Sequence, residues 1–215
     1  MRGKATAVTK ATAVTILAGL TVLGWSVSTE AAFFGAPRVL KQQAARLQLD
    51  EPAPAPMAHT RFCLQYKHEC KMRRTVFRGG AMKLTPERWA ELAKVNADVN
   101  RAITPEPNTR GVAYERWLIG PSAGDCNDYA VTKRHELVKR GWAPRNLLLA
   151  EVVVASGEHH LVLVIRTTDG DFIADNLHPA IRAWATPRYR WVRMQSPKNP
   201  QFWSRVAIGR PDRSV

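Results

Sequence analysis

Apolar residues recur at spacings of three and four through Trp89, Leu92, Val95, Val99 and Ile103, which puts them on one face of a helix. Thr85-Pro86-Glu87 supplies the start: a capping hydroxyl, a proline at the first helical position and an acid in the first turn. Pro105 stops the run. Asn96 and Asn100 on this helix read as surface or packing residues. A second helix is predicted from about Asp125 to just before Gly141, with Ala130, Val131, Leu137 and Val138 as its buried stripe. Gly141, just past Lys139 and Arg140, suits a left-handed cap, and Pro121 and Gly124 describe a turn upstream.

After Pro144 the pattern changes to that of strands. Leu147 to Ala155 is a mostly apolar run with three consecutive valines, and Ser156-Gly157-Glu158 marks a turn. His160 to Ile165 and Asp171 to Asp175 follow on either side of Asp169-Gly170, and Tyr189 to Met194 and Trp203 to Ile208 are two further candidates. Helices followed by an antiparallel sheet make an α+β layout.

The amino terminus follows neither pattern. Arg2, Lys4 and Lys10 precede the uncharged, mostly apolar stretch Ala11 to Trp25, and Thr29-Glu30-Ala31 carries small residues where a signal peptidase reads them. Residues 1–31 therefore read as a signal peptide, with an uncleaved anchor as the rival; the apolar run is shorter than the ~20 residues that span a bilayer. A periplasmic or secreted protein with no stable membrane span after cleavage follows. Residues 32–59 read as a Pro/Ala-rich linker, because Glu51 to Pro56 alternates proline with other residues and favours an extended, solvated chain. The folded domain is then 60–215.

Composition narrows the class. The chain has 215 residues, a formal charge of +14, 45% apolar and 23% charged residues, which excludes a wholly disordered chain, a collagen-like one and a polytopic membrane protein. The signal removes three basic residues and one acid, so most of the positive excess stays with the exported chain. Arg73, Arg74 and Arg78 cluster early, and Arg182, Arg188, Arg190, Arg193 and Arg205 alternate with Trp184, Tyr189, Trp191 and Trp203. Such interleaving can bind single strands of nucleic acid, but an exported protein seldom meets them. An anionic surface is the better partner, and strand faces explain the alternation around Tyr189 to Met194.

There are three cysteines. In an oxidising compartment Cys63 and Cys70 are spaced for a local disulfide, whereas a metal knuckle with His68 needs more ligands than the stretch supplies. Cys126 is the remaining thiol, in the first turn of the second helix, where the helix's partial positive charge favours a thiolate. A nucleophilic cysteine needs a base, and the base needs a partner that orients it. His160 and Asp175 are the candidates. His159 points to the opposite face, and Asp169 and Asp171 read as turn residues. A buried, inert Cys126 is the alternative.

The run Gly124-Asp125-Cys126-Asn127-Asp128-Tyr129, with Lys133-Arg134, Gly141-Trp142, His160-Leu161-Val162-Leu163 and Asp175-Asn176, resembles the bacterial transglutaminase-like cysteine proteinases. The resemblance spans roughly Cys63 to Asn176. It implies a papain-like or transglutaminase-like fold, with the nucleophile on a helix N-terminus packed against the antiparallel sheet. It also implies Cys126 as nucleophile, His160 as general base and acid, and Asp175 as the orienting carboxylate. Family members include a periplasmic protease that cleaves surface adhesins, so a protein substrate of that kind is expected. The resemblance further implies calcium at Asp125 and Asp128. Asn127 stands where many members carry an acid, and a lost carboxylate weakens such a site; capping by Asp125 and dipole complementation by Asp128 explain the same residues without metal.

One geometric point resists the triad. A strict Asp169-Gly170 turn sets Val164 opposite Asp175, about 13 Å along the strand from His160 at ~3.3 Å per residue. Direct pairing of His160 with Asp175 predicts a longer connection or a bulge around Arg166 to Gly170. A noncatalytic binding module, or an amidase or acyltransferase acting on a small or cell-wall peptide, remains the alternative to a peptidase.

Overall fold

In the computed structural model the described residues are 46–72, 81–109, 111 and 113–207. The expected signal peptide, and Arg73, Arg74 and Arg78, lie outside them.

The two helices predicted from periodicity form where expected. We label α1 Met57–Gln65, α2 Pro86–Ala102 and α3 Cys126–Lys139. In α2, Thr85 is the N-cap and its hydroxyl accepts the Arg88 N–H at 3.3 Å, with Leu92, Val95 and Val99 buried. At the end of α3, Gly141 has φ +82°, the left-handed conformation its position predicts, and its N–H reaches the Val138 carbonyl at 3.0 Å.

The strands are β1 Gln48–Ala53, β2 Thr104–Pro105, β3 Ala123–Gly124, β4 Leu147–Val153, β5 His159–Thr167, β6 Gly170–Ala174, β7 Arg182–Ala183, β8 Arg190–Gln195 and β9 Trp203–Ala207. Seven of them form one antiparallel sheet in the order β1-β9-β8-β4-β5-β6-β7, while β2 and β3 form a short parallel pair. One face of the sheet, through Leu147, Leu149, Leu161, Leu163, Ile165 and Phe172, packs with Tyr129, Ala130, Val131 and Leu137 of α3 and Leu92, Val95 and Val99 of α2. The other face buries Leu148, Ala150, Val152, Val162, Val164, Ile173, Trp191 and Met194. Burial on both faces is why β4 and β5 read as near-continuous apolar runs rather than as alternation. Among the described residues no helix is long and apolar enough to cross a membrane.

Three expectations are corrected. The supposed linker 32–59 is part of the fold in its described portion: β1 pairs with β9, Leu47 and His59 are buried, and α1 begins at Met57. The proline-rich segment was extended, as read, but it is an edge strand with an irregularity between Leu49 and Pro52. An edge tolerates a residue that cannot donate to the ladder. Leu47 N–H donates to Asp171 Oδ2 at 2.9 Å, so Asp171 ties this segment to the sheet rather than serving the turn.

The β5–β6 connection is also shorter than the direct pairing of His160 with Asp175 predicted. Thr167 pairs with Gly170, so the loop is Thr168-Asp169 and Gly170, with φ +120°, belongs to the strand. Ala174 lies opposite Leu163, which brings Asp175 level with Val162 and makes it a diagonal neighbour of His160. Side chains of such pairs can touch across ~7–8 Å of backbone separation. No bulge is needed.

Candidate active site

Cys126 opens α3 and is the free cysteine among the described residues; Cys63 and Cys70 are joined by a disulfide, with Cα atoms 5.4 Å apart. His59 brings its ring to within 4.8 Å of both sulfurs, but the bridge has consumed the thiolates that a metal would need.

The turn that presents Cys126 is built by a capping box. Asp125 is the N-cap, its Oδ1 accepting Asn127 N–H at 2.9 Å, while Asp128 Oδ2 accepts Asp125 N–H at 3.1 Å. Asp128 Oδ1 accepts Leu118 N–H at 2.7 Å, fastening the preceding loop to the helix. Gly124 is required here because a Cβ would overlap the Asp128 carboxylate.

His160 is buried in β5, and its Nε2 is 2.9 Å from Asp175 Oδ1. That contact engages Nε2 and leaves Nδ1 as the second ring nitrogen. The backbone N–H of Leu161, the residue after His160, acts on the Cys126 thiol to lower its pKa. His159 is exposed and contacts Glu151 Oε1 at 2.5 Å, on the other side of the strand from His160.

Asp175 is held from several directions. Leu177 N–H donates to Oδ1 at 2.9 Å, the Tyr189 hydroxyl donates to Oδ2, and Arg182 lies 3.9 Å from Oδ2. Asn100 of α2 donates to the Asp175 backbone carbonyl at 3.1 Å, and Asn96 donates to that of Pro179 at 2.8 Å. Both asparagines thus hold the loop after Asp175, a role that helical spacing could not reveal. Burial works to raise the Asp175 carboxyl, but the His160 hydrogen bond and charge, with the Tyr189 and Leu177 donors, bring it down to about 2.

The thiol behaves differently from expectation. Burial pushes Cys126 up to about 12, and Asp125, Glu115 and Asp128 add to that, against the Leu161 N–H. The favourable helix N-terminus is outweighed by desolvation and by a cluster of carboxylates.

Glu115 was not singled out from the sequence. Its carboxylate accepts from the Trp117 indole N–H at 3.2 Å and from the amide of Asn127, the residue after Cys126. Burial raises Asp128 to about 6 and also raises Glu115, and the charges acting on both are those of other carboxylates. Carboxylate and amide oxygens are the donor chemistry a hard cation takes, although Glu115, Asp125 and Asp128 do not converge on one point among the described residues.

The family comparison decides the reading. Residues 49–211 match the bacterial transglutaminase-like cysteine proteinase family. The chain belongs to that family. It is a transglutaminase-like cysteine peptidase. Among solved structures, Legionella pneumophila LapG is similar at 25% identity over 57% of this chain and 69% of that one, with TM-score 0.46. The calcium-bound form matches at 21% identity over 84% and 91%, TM-score 0.48, and the EGTA-treated form at 26% over 52% and 64%, TM-score 0.43. No curated protein matches the chain. In this transglutaminase-like peptidase the Arg/aromatic alternation is a packing pattern: Trp191 and Trp203 are buried, and Arg193 contacts Glu151 Oε2 at 2.5 Å.

Proposed function

We propose that this peptidase is exported and hydrolyses peptide bonds of a protein substrate through Cys126, His160 and Asp175. The observation that carries the reading is the buried His160–Asp175 pair, with Cys126 opening α3.

In the reaction, Cys126 Sγ attacks the scissile carbonyl carbon as its proton passes to His160 Nδ1. The C–S bond forms and the carbonyl electrons move to oxygen. Asn127 N–H is taken by Asp125 Oδ1 and Asp128 N–H by the Asp125 carbonyl, which leaves Cys126 N–H to face that oxyanion. Collapse breaks the C–N bond, and the Nδ1 proton goes to the leaving amine. Water, deprotonated by His160, then attacks the thioester, and loss of the thiol returns the free acid and the resting enzyme. Asp175 keeps Nε2–H hydrogen-bonded throughout and stabilises the imidazolium.

Asp125, Asp128, Glu115 and the Asn127 amide oxygen are the groups that would hold calcium. When bound, its charge would offset the carboxylates that act on the thiol. A surface adhesin is the proposed substrate, and the positive charge of the chain suits an acidic segment or an anionic cell surface. The test is incubation of the chain with periplasmic and surface proteins, with calcium and with EGTA, followed by mapping of new N-termini. Cleavage by the wild type and none by Cys126→Ala is expected; identical fragments from both would refute the reading.

A further inference from the structure

We propose that Tyr189 is a positioning residue for the His160–Asp175 pair, fixing the carboxylate and the imidazole with one side chain. The inference rests on the triad reading given above. Asp175 Oδ1 receives His160 Nε2 and Leu177 N–H, each at 2.9 Å. Oδ2 receives the Tyr189 hydroxyl, and Arg182 lies at the longer distance of 3.9 Å from it. The terminal torsion of an aspartate is broad and roughly two-fold. A donor on Oδ2 is therefore what keeps Oδ1 aimed at the imidazole.

The same ring stands edge-on to His160, with centroids 6.2 Å apart and planes at 64°. Loss of the hydroxyl alone and loss of the whole ring are thus separable. Burial and the Asp175 charge push the Tyr189 hydroxyl above its ordinary range, so it stays a donor across the working pH range. Its position is fixed by the sheet. Val152 of β4 pairs with His160 on one side and Trp191 on the other, and Tyr189 directly precedes β8, its N–H bonded to the Pro187 carbonyl at 2.8 Å. No spacing rule connects residues 160, 175 and 189; the order β8-β4-β5-β6 does.

Alkylation of Cys126 by iodoacetamide at pH 7 in the full chain provides the readout, followed in wild type, Tyr189→Phe, Tyr189→Gln, His160→Ala and Asp175→Ala. The downfield His160 Nε2–H signal is recorded by NMR in the first three. Tyr189→Phe is expected to react on the order of tenfold more slowly, as small misplacements of catalytic groups do, and to move the Nε2–H signal upfield while circular dichroism and the melting temperature stay close to wild type. Tyr189→Gln, which keeps a donor but loses the ring, should recover part of the signal, and it serves as the second variant if Tyr189→Phe folds poorly. If both Tyr189 variants match wild type in rate and signal while His160→Ala and Asp175→Ala are slow, the Tyr189 inference is wrong and the triad stands. If His160→Ala and Asp175→Ala also react at the wild-type rate, the triad reading itself fails.

Discussion

Asp175 and Lys133 show how burial acts on two charges of opposite sign. Asp175 is buried but well supplied with donors, so its folded pKa, about 2, lies below the ordinary value of 3.8. A depressed carboxylate stabilises the fold above the unfolded pKa and loses that contribution as pH falls through the folded one. The stability gap between wild type and Asp175→Asn, followed by denaturant melts, should therefore shrink between pH 4 and pH 2. Lys133 is fully buried two turns along α3 from Cys126, with its Nζ hydrogen-bonded to no described group and 5.8 Å from the Tyr129 ring. Burial lowers it to about 7, with Asp175 opposing. Because the unfolded lysine binds its proton more tightly, the buried amine costs stability below pH 7, and the cost fades as pH rises toward 10.5. Lys133→Met should be more stable at pH 7 by roughly 2–4 kcal/mol, given about 1.4 kcal/mol per pKa unit. The gain should diminish above pH 8; an unchanged or lower melting point would contradict this account.

At the scale of elements, the placement of Cys126 depends on the start of α3. Gly124→Ala would drive a Cβ into the Asp128 carboxylate, whose oxygens hold both Asp125 N–H and Leu118 N–H. Helix caps of this kind contribute about 0.5–2 kcal/mol, and here the same turn aims the thiol. The expected result is a lower melting temperature together with slowed Cys126 alkylation, whereas Asp50→Ala on the exposed edge strand changes neither. Calcium is expected to raise the melting temperature measured by differential scanning fluorimetry, and Asp125→Asn to remove that shift; an identical rise in both would place the cation elsewhere. The Cys63–Cys70 bridge closes a short loop after α1, with a sequence separation of 7. On loop-closure arguments its loss should cost about 2–3 kcal/mol, read as a lower denaturation midpoint for Cys63→Ser/Cys70→Ser.

For the whole molecule, the consequential contact joins distant parts of the sequence. β1 covers the β9 edge, and Leu47 N–H donates to Oδ2 of Asp171, whose side chain is fully buried. A chain starting at Pro54 would expose the β9 edge and leave that carboxylate without its backbone donor, which costs about 1–3 kcal/mol or more for a charged group. Such a truncation should melt earlier and aggregate more readily, observable by light scattering on heating; wild-type behaviour would show that β1 is dispensable.

The sequence by itself determined the local elements and the chemistry they carry. Periodicity and capping residues located α2 and α3, apolar runs located β4 to β6, and the spacing of Cys63 and Cys70, read with the expected export, predicted their bridge. Cys126, His160 and Asp175 stood out as candidates because each sits at a recognisable element boundary. The tertiary structure decided what depends on separation in the chain. It made Asp175 a diagonal neighbour of His160, since register is set by how the turn closes and by which faces are buried. It turned the proline-rich stretch into an edge strand, because the partner strand lies at the far end of the sequence. It also brought Tyr189, Asn100 and Glu115 to the site and reversed the expected shift of the thiol. Sequence spacing describes neighbours along the chain, whereas desolvation and charge act between groups that only packing brings together.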